Sequence, residues 1–184
     1  DKYICSTISM ALGNQWKKYI LDIKKFLNYL KIEDSKILLR PYHANITWEN
    51  EKIYKKVFHD FEIENTNKKI EINFSQAKLV ICTWNSTNFL NLLSSNIPTI
   101  TFWNASFFPI EKNAKPYLDE LFKANILHFN YKNAASFVNK IWSDVDNWWA
   151  SDVTQNARKK FISIYSSNPN RNLENLEKIL FFKD

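Results

Sequence analysis

The sequence has 184 residues, of which 45% are hydrophobic and 16% aromatic, so it is long enough for one well-packed domain and too short for two full ones. Charged residues make up 24%, close to the globular average, which excludes a disordered or coiled-coil chain. The single glycine, Gly13, excludes the dinucleotide-binding loop and the P-loop, because both need several glycines to bring the backbone close to phosphates. A net charge of +6 favours a polyanionic or phosphorylated partner.

The cysteines and histidines do not have the spacing of a metal site. Cys5 and Cys82 lie far apart, and the three histidines form no H-x-x-x-H pair, so we expect neither a bound metal nor another cofactor. Cys82 lies in an apolar run, which favours a buried thiol over half of a disulfide and therefore a cytoplasmic location. Since no apolar stretch approaches about 20 residues, we expect no integral membrane segment, and peripheral membrane association stays open.

The first half of the chain predicts two helices and a strand. Apolar residues within 16–30 have the spacing of a helix that buries one stripe. Residues 36–40 form a short apolar run that Pro41 ends, which predicts a buried strand. Residues 51–61 predict a second helix, and the alternation within 68–74 indicates a short strand or an extended loop.

A βαβ unit is predicted in the middle of the chain. Residues 77–83 are apolar on both faces, as in a strand whose sheet is covered by helices on both sides. Residues 84–86 supply a turn and a helix N-cap, and residues 87–95 carry the apolar pattern of a helix. Residues 99–103 predict the second buried strand.

The remaining segments continue the alternation of strands and helices. They are a helix at 114–124, a strand at 126–129 and helices at 134–149, 152–165 and 173–182. The sequence therefore predicts an α/β fold with an open parallel sheet flanked by helices and a helical C-terminal tail.

Candidate binding residues follow the predicted strands. In open α/β sheets, ligands bind beyond the carboxyl ends of the strands, and here those ends are rich in polar and aromatic side chains. The candidates at these ends are Arg40, Tyr42, His43, Trp84, Ser86, Thr87, Trp103 and Asn104. The two tryptophans could stack on a base or a sugar, or belong to the core.

The helix that begins at Thr87 offers a place for an anion. Its N-terminus presents free backbone N–H groups and about half a positive charge. The hydroxyls of Ser86 and Thr87, together with the Arg40 guanidinium, would complete a phosphate or diphosphate site. The alternative is that Ser86 only caps the helix and Arg40 pairs with a surface carboxylate.

Several residue patterns resemble a known family. They are Arg40-Pro41-Tyr42, the Ser-Thr-Asn-Phe-Leu-Asn-Leu-Leu run at 86–93, the Asn-Ile-Pro-Thr-Ile-Thr-Phe-Trp run at 96–103, Ala134-Ala135 and Trp148-Trp149. This pattern resembles a bacterial family of surface-carbohydrate transferases first noted in leptospires. More remotely it is similar to the donor-binding half of GT-B glycosyltransferases and to CDP-glycerol glycerophosphotransferases.

The resemblance implies a fold and a function. It implies that residues 1–184 form a single Rossmann-like donor-binding domain of the GT-B C-terminal type, which holds a nucleotide-activated sugar or polyol. The implied activity is metal-free transfer to a glycan acceptor in surface polysaccharide or glycan biosynthesis. Because the chain begins without Met, we expect it to be the C-terminal part of a longer transferase, whose N-terminal domain binds the acceptor.

One position departs from the family pattern. Asn91 stands where the family usually has the glutamate that meets the nucleotide ribose in GT-B donor domains. An amide can still form a hydrogen bond with a hydroxyl but carries no charge. The resemblance therefore implies Asn91 as a ribose contact with altered chemistry.

Three other interpretations of the sequence compete with a metal-free transferase of the GT-B type. A non-catalytic nucleotide-sugar-binding or structural module is the main alternative. Asp144-Val145-Asp146 spells the D-x-D metal motif of the other glycosyltransferase fold, but residues two apart do not share a helix face. The lysine pairs are spread along the chain with acids beside them, which predicts a solvated surface and no nucleic-acid partner.

Some histidines and tryptophans are expected to pack in the interior. His59 and His128 lie inside apolar segments. Trp142, Trp148 and Trp149 are expected to pack the last helices together.

Overall fold

The computed structural model describes residues 14–32, 35–41, 50–64, 74, 76–107 and 110–166. Cys5, Tyr42 and His43 lie outside these residues. So do nearly all of the predicted segment at 68–74 and the predicted helix at 173–182.

The described chain is a mixed α/β structure in which helices flank two parallel sheets. Its helices are α1 (Asn14–Tyr29), α2 (Asn50–Val57), α3 (Thr87–Ser94), α4 (Lys115–Lys123), α5 (Tyr131–Ile141), α6 (Val145–Ala150) and α7 (Asp152–Tyr165). Its strands are β1 (Leu38–Leu39), β2 (Glu62–Ile63), β3 (Val80–Cys82), β4 (Thr99–Phe102) and β5 (Leu127–His128). This confirms the predicted α/β class.

The three-stranded sheet has the order β3-β4-β5, and both of its strand pairs are parallel. Ile81 lies opposite Ile100, and Thr101 lies opposite Leu127. Because α3 connects β3 to β4 and α4 connects β4 to β5, the carboxyl ends of all three strands lie at one edge. The predicted βαβ unit is confirmed, and the strands β1 and β2 form a second parallel pair.

The core lies on both sides of β4, whose four residues are all buried. Ile100 and Phe102 pack into a cluster with α1 and α5, whereas Trp103 packs into a second cluster with α3, α4 and α7. The alternation of side chains along a strand sends neighbouring residues to opposite faces. The central strand therefore carries helices on both sides, as the apolar sequence of this strand predicts.

Helix α1 is fixed at two places, against the sheet and against α5. The rings of Phe26 and Phe102 stack with centroids 4.9 Å apart. At the C-terminal end of α1, the Asn139 side chain accepts a hydrogen bond from Lys31 N at 2.7 Å and donates one to Tyr29 O at 2.8 Å. These contacts satisfy backbone groups that the helix end leaves without partners. They hold α1 in the orientation that brings its first half to the sheet edge.

Asparagine takes the place of glycine where α3 and α4 end. Asn96 and Asn125 have φ values of 55° and 59°, in the left-handed region that asparagine tolerates better than other non-glycine residues. Asn96 N bonds to Leu93 O, and the next residue, Ile97, donates from its N to Leu92 O. The same pair of bonds follows α4, and this is the Schellman arrangement of helix ends. A chain with one glycine can therefore still end two helices sharply before strands.

The sequence predicts one continuous helix at 134–149, and this prediction is wrong because two helices lie there. Helix α5 begins three residues earlier, because the Asn130 side chain caps it by accepting from Asn133 N. It ends at Ile141, and a 3-10 turn at Trp142–Asp144 separates it from α6. Trp142 O accepts a hydrogen bond from Lys78 Nζ at 2.6 Å. This tertiary contact competes with the helical bond that the same carbonyl would otherwise accept, which accounts for the break.

Two predicted segments are shorter than their patterns suggest. The strand predicted at 36–40 pairs only through Leu38–Leu39, with the unpredicted strand β2. The helix predicted at 51–61 ends at Val57, and a turn follows in which Phe61 N donates to Phe58 O. Phe58 and Phe61 keep the three-residue spacing of a helix within this turn, so the spacing does not mark the end of the helix.

Candidate ligand-binding site

A crevice of about 220 Å³ lies at the carboxyl edge of the three-stranded sheet. The strand ends contribute Thr83 and Trp84 after β3, Phe102, Trp103, Asn104 and Phe107 at and after β4, and Phe129, Asn130 and Tyr131 after β5. Helix α1 contributes Lys18, Tyr19 and Asp22. Three strand ends and one helix therefore meet in one depression, at the edge where open α/β sheets bind their ligands.

Tyr19 fastens α1 to the segment after β3. Its hydroxyl lies 2.8 Å from Thr83 Oγ1 and 3.5 Å from the Tyr54 hydroxyl. Its ring meets the Trp84 ring edge-on, with centroids 5.2 Å apart. Burial raises the pKa of Tyr19 and raises that of Tyr54 well above its ordinary value, so both phenols stay protonated at neutral pH. This contact keeps one side of the crevice in place.

Lys18 and Asp22 are the charged residues that line the described part of the crevice. They are four residues apart on α1 and therefore share a helix face. The Asp22 carboxylate is half-buried and makes no hydrogen bond or ion pair with any described residue. Burial raises the pKa of Asp22, and the positive charges of Lys18 and Lys25 oppose this rise. The crevice thus contains an acceptor that the described protein leaves unused.

Two asparagines in the crevice have fixed amide orientations. Asn104 Oδ1 accepts hydrogen bonds from Ser106 N at 3.0 Å and from Ser106 Oγ at 2.7 Å. Asn130 Oδ1 accepts from Asn133 N at 2.8 Å. A backbone N–H donates only to the oxygen of an amide, so each side chain keeps its Nδ2 amino group as a donor for other partners.

Trp103 belongs both to the crevice and to the core. It is 3% exposed, and its ring meets those of Phe89 and Phe129 edge-on, with centroids 6.4 and 6.3 Å away. Among the described residues, nothing accepts a hydrogen bond from its buried Nε1. The sequence left two roles open for Trp103, stacking on a ligand or packing in the core. The structure shows that Trp103 packs in the core.

Three predicted site residues on α3 do not line the crevice. Ser86 is the N-cap residue with extended backbone (φ −135°), and its hydroxyl makes no capping hydrogen bond within the described helix. Thr87 and Asn91 are exposed on α3. The structure therefore brings Trp84, Trp103 and Asn104 together in the crevice, whereas Ser86, Thr87 and Asn91 lie outside its lining, at the start of α3 and on it.

Arg40 also lies apart from the crevice lining. Its Nη1 donates to Glu64 Oε2 at 2.7 Å, and the two side chains are 19% and 6% exposed. The pair joins the residues that directly follow β1 and β2. Pairing with a carboxylate was the alternative that the sequence left open for Arg40, and the structure shows this pairing with a buried partner.

The predicted packing residues are largely confirmed. His128 is buried, its Nε2 lies 3.1 Å from Asn125 O, and burial lowers its pKa. The indoles of Trp142, Trp148 and Trp149 donate hydrogen bonds to Ser35 Oγ, Ala124 O and Asn96 O, so they join the C-terminal helices to earlier parts of the chain. The prediction for His59 is wrong, because His59 lies in an exposed turn where its Nδ1 is 2.8 Å from Asp60 Oδ1.

Cys82 is a free, half-buried thiol, which confirms the prediction from its apolar surroundings. Burial raises its pKa to about 12, so it stays protonated and unreactive at neutral pH. Within the described ranges, no three His, Cys, Asp or Glu side chains cluster as a metal site would require. Asp144 and Asp146 are both exposed. None of the helices described here is long and apolar enough to cross a membrane.

A protein-family model described as LIC12162 family transferase matches residues 1–180, nearly the whole chain. The chain belongs to this transferase family. Searches of curated proteins and of solved structures found no match. Membership of the LIC12162 family indicates a transferase, and a transferase has a donor and an acceptor substrate.

Several crevice residues of this LIC12162 family chain were not foreseen from its sequence. The sequence pattern predicts Lys18, Tyr19 and Asp22 only as parts of an amphipathic helix, and it does not mark Asn130 as a cap. The spacing of Lys18 and Asp22 does place them on one face. The contact of that face with a sheet edge is a tertiary relationship that helix periodicity does not encode.

Proposed function

We propose that this LIC12162 family chain is the donor-binding domain of a nucleotide-sugar or nucleotide-polyol dependent transferase that acts in surface polysaccharide or glycan biosynthesis. The observation that carries the proposal is the crevice at the carboxyl edge of β3, β4 and β5. In open α/β sheets this edge is the general place for ligands, and family membership supplies the reaction class. The proposal includes a Rossmann-like sheet of the GT-B C-terminal type.

The proposed place for the donor diphosphate is the N-terminus of α3. Thr87 is exposed, and the Ser86 hydroxyl is not used to cap the described helix. Trp84, two residues before Ser86, lines the crevice. The backbone N–H groups and dipole of the helix would stabilise the charge that develops on the departing diphosphate. Asn91, exposed one turn further along α3, is the proposed ribose contact.

We propose that Arg40 stabilises the fold and is not a main contact of the donor. Its hydrogen bond to the buried Glu64 ties β1 to β2, and a charge-assisted bond of this kind holds a strand end firmly. A diphosphate would compete with Glu64 for the guanidinium. We therefore place the main phosphate contacts at Ser86 and Thr87.

The acceptor is proposed to bind outside this domain. In the GT-B arrangement, the acceptor site and the catalytic base belong to an N-terminal domain. We accordingly expect this chain to bind donor alone without transferring its group, and a longer protein that includes such a domain to turn over. Transfer to a sugar acceptor by the 184-residue chain itself would contradict this division of labour.

Isothermal titration calorimetry tests the proposal. The chain is titrated with UDP, CDP and GDP, with their linked hexoses and with CDP-glycerol, and saturable binding by at least one of these is expected. Thr87→Ala should weaken that binding about fivefold, since it removes one hydrogen bond worth about 1 kcal/mol. Ser136→Ala, which removes an exposed hydroxyl on α5, is the matched control and should bind normally. Absence of binding by every compound, with the circular dichroism spectrum intact, would favour the structural module.

A further inference from the structure

We infer that the crevice binds an uncharged, hydroxyl-bearing group, a sugar ring or polyol chain, with Asp22 accepting and the amides of Asn104 and Asn130 donating hydrogen bonds. This inference rests on the proposed function and deepens it. It assigns the crevice to the group that is transferred, and leaves the diphosphate to the N-terminus of α3.

The charges in the crevice favour an uncharged ligand. Lys18 and Asp22 carry opposite charges and lie on one helix face, so their fields largely cancel. Lys18 is exposed, and its Nζ lies 5.5 Å from the centroid of the Phe107 ring. Asp22 is the more enclosed of the two and would repel a diphosphate. A neutral group meets no such penalty.

The hydrogen-bonding groups match a set of hydroxyls. A hydroxyl both donates and accepts, whereas an ionised carboxylate only accepts and an amide amino group only donates. Asp22 has no partner among the described residues, and the Oδ1 atoms of Asn104 and Asn130 are already engaged by their own chain segments. The two Nδ2 donors are thus oriented before any ligand arrives. Orientation of this kind lowers the entropy cost of binding.

The aromatic surface of the crevice suits the apolar faces of such a group. Trp84, Phe129 and Tyr131 line it, and Tyr19 holds the Trp84 ring at 86° to its own. Ligand sites of this kind combine mostly apolar walls with a few placed polar groups. A sugar ring presents C–H groups on its faces and hydroxyls at its rim, so it meets both requirements.

The crevice is large enough for only part of a nucleotide-linked donor. Its volume of about 220 Å³ lies below the roughly 300–1,000 Å³ of sites that enclose drug-sized ligands. A complete nucleotide sugar would exceed this volume, whereas its terminal group alone would not. The remainder of the donor would extend over the rim toward Trp84 and α3.

Calorimetry on matched compounds tests the inference. Each of UDP-hexose, GDP-hexose and CDP-glycerol is compared with its parent nucleoside diphosphate, and the linked group should strengthen binding for at least one. Asp22→Asn should weaken binding of that compound about tenfold or more, since a hydrogen bond to a charged group is lost, and should leave the parent diphosphate unaffected. Asn104→Ala should act in the same direction. Asp146→Asn, an exposed carboxylate outside the crevice, is the matched control.

A second measurement does not depend on nucleotide binding. In ¹⁵N–¹H spectra, free glucose, N-acetylglucosamine, ribitol and glycerol are titrated while the Trp84 indole resonance, assigned with Trp84→Phe, is followed. At least one of them should shift this resonance in the wild type and not in Asp22→Asn.

The outcomes distinguish this inference from the proposed function. If diphosphates bind but the linked group adds nothing, or Asp22→Asn weakens the parent diphosphate equally, the crevice assignment is overturned and the proposed function stands. If free sugars or polyols shift Trp84 while no nucleotide binds, the donor proposal fails and the crevice assignment stands. If neither sugars nor sugar nucleotides affect Trp84, the crevice assignment is overturned.

Discussion

Trp149 donates from its indole Nε1 to both oxygens of Asn96, the backbone carbonyl and the side-chain Oδ1, each at 3.1 Å. Gln155 Nε2 reaches the same Oδ1 at 3.2 Å. These contacts join α6 and α7 to the left-handed residue that ends α3 and precedes β4. Two separate parts of the pattern that resembles the transferase family, the Asn-x-Pro segment and the Trp-Trp pair, therefore contact each other, and their contact serves the fold.

Substitutions of Asn96 should separate the backbone strain from the hydrogen bonds. Asn96→Gly loses the Oδ1 acceptor but adopts φ 55° freely, so it should cost about 1 kcal/mol of unfolding free energy. Asn96→Ala loses the same acceptor and also strains the left-handed backbone, which should add about 1–2 kcal/mol. Urea denaturation of both variants measures the difference. Equal midpoints would show that the left-handed position carries no cost here.

Two threonines of β4 provide a matched pair for buried hydroxyls. Thr99 and Thr101 are both 0% exposed, but Thr99 Oγ1 donates to Ile97 O at 2.8 Å, whereas Thr101 Oγ1 has no partner among the described residues. Thr101→Val removes an unsatisfied hydroxyl and should stabilise the protein by about 1 kcal/mol. Thr99→Val removes a bonded hydroxyl and should destabilise it by about 1 kcal/mol. Thermal unfolding of both variants provides the test, and a loss of stability for Thr101→Val would contradict it.

The fold was predictable where the local pattern alone decides the structure. The helix at Asp152–Tyr165 agrees with its predicted bounds, and the βαβ unit was identified because apolar strands and a capped helix follow each other closely. The break before Val145 was not predictable in this way. It depends on Lys78, 64 residues from Trp142, whose ammonium group binds the Trp142 carbonyl.

The candidate site was predictable in part, for a related reason. The rule that ligands bind at strand ends selects Trp84, Trp103 and Asn104 among its candidates, and these three line one crevice. The rule contains no information about which helix covers that edge, so it does not select Asp22, which also lines the crevice. It also treats all strand ends as equivalent, although Arg40 follows a strand of the separate two-stranded sheet.

Arg40 and Thr87 should respond oppositely to substitution. Arg40→Ala removes the guanidinium beside the buried Glu64 and should lower the unfolding free energy by about 2–3 kcal/mol, somewhat less than for a fully buried pair, with donor affinity unchanged. Thr87→Ala should weaken donor binding with little effect on stability, because Thr87 is exposed. Melting temperatures and calorimetric affinities of the two variants provide the comparison. A fall in donor affinity for a folded Arg40→Ala variant would indicate that Arg40 does contact the donor phosphates.

The Asp22 carboxylate should destabilise the folded protein at neutral pH. Burial raises the pKa of Asp22 in the folded protein above its ordinary value of 3.8. The contribution of Asp22 to stability is therefore most favourable in acid, and it is lost as the pH rises from the ordinary pKa through the raised pKa. Asp22→Asn should therefore raise the melting temperature at pH 7, and this gain should shrink as the pH is lowered toward the ordinary pKa of Asp. Glu120 is a control whose pKa shift has the opposite direction, because the hydrogen bond from Lys123 lowers the pKa of Glu120. Glu120→Gln should lower stability slightly at pH 7, less so in acid.

Melting curves recorded between about pH 3 and pH 7 for the wild type and both variants measure these effects, since the ordinary carboxyl pKa values lie near the lower limit. A more stable Asp22→Asn variant that also binds the sugar or polyol group less well would show that the site keeps a poorly solvated charge for binding at the expense of stability. If Asp22→Asn melts at the wild-type temperature throughout this range, the carboxylate is well solvated in the unliganded protein. Asp22 would then gain no extra hydrogen-bond strength from burial when it accepts from a hydroxyl.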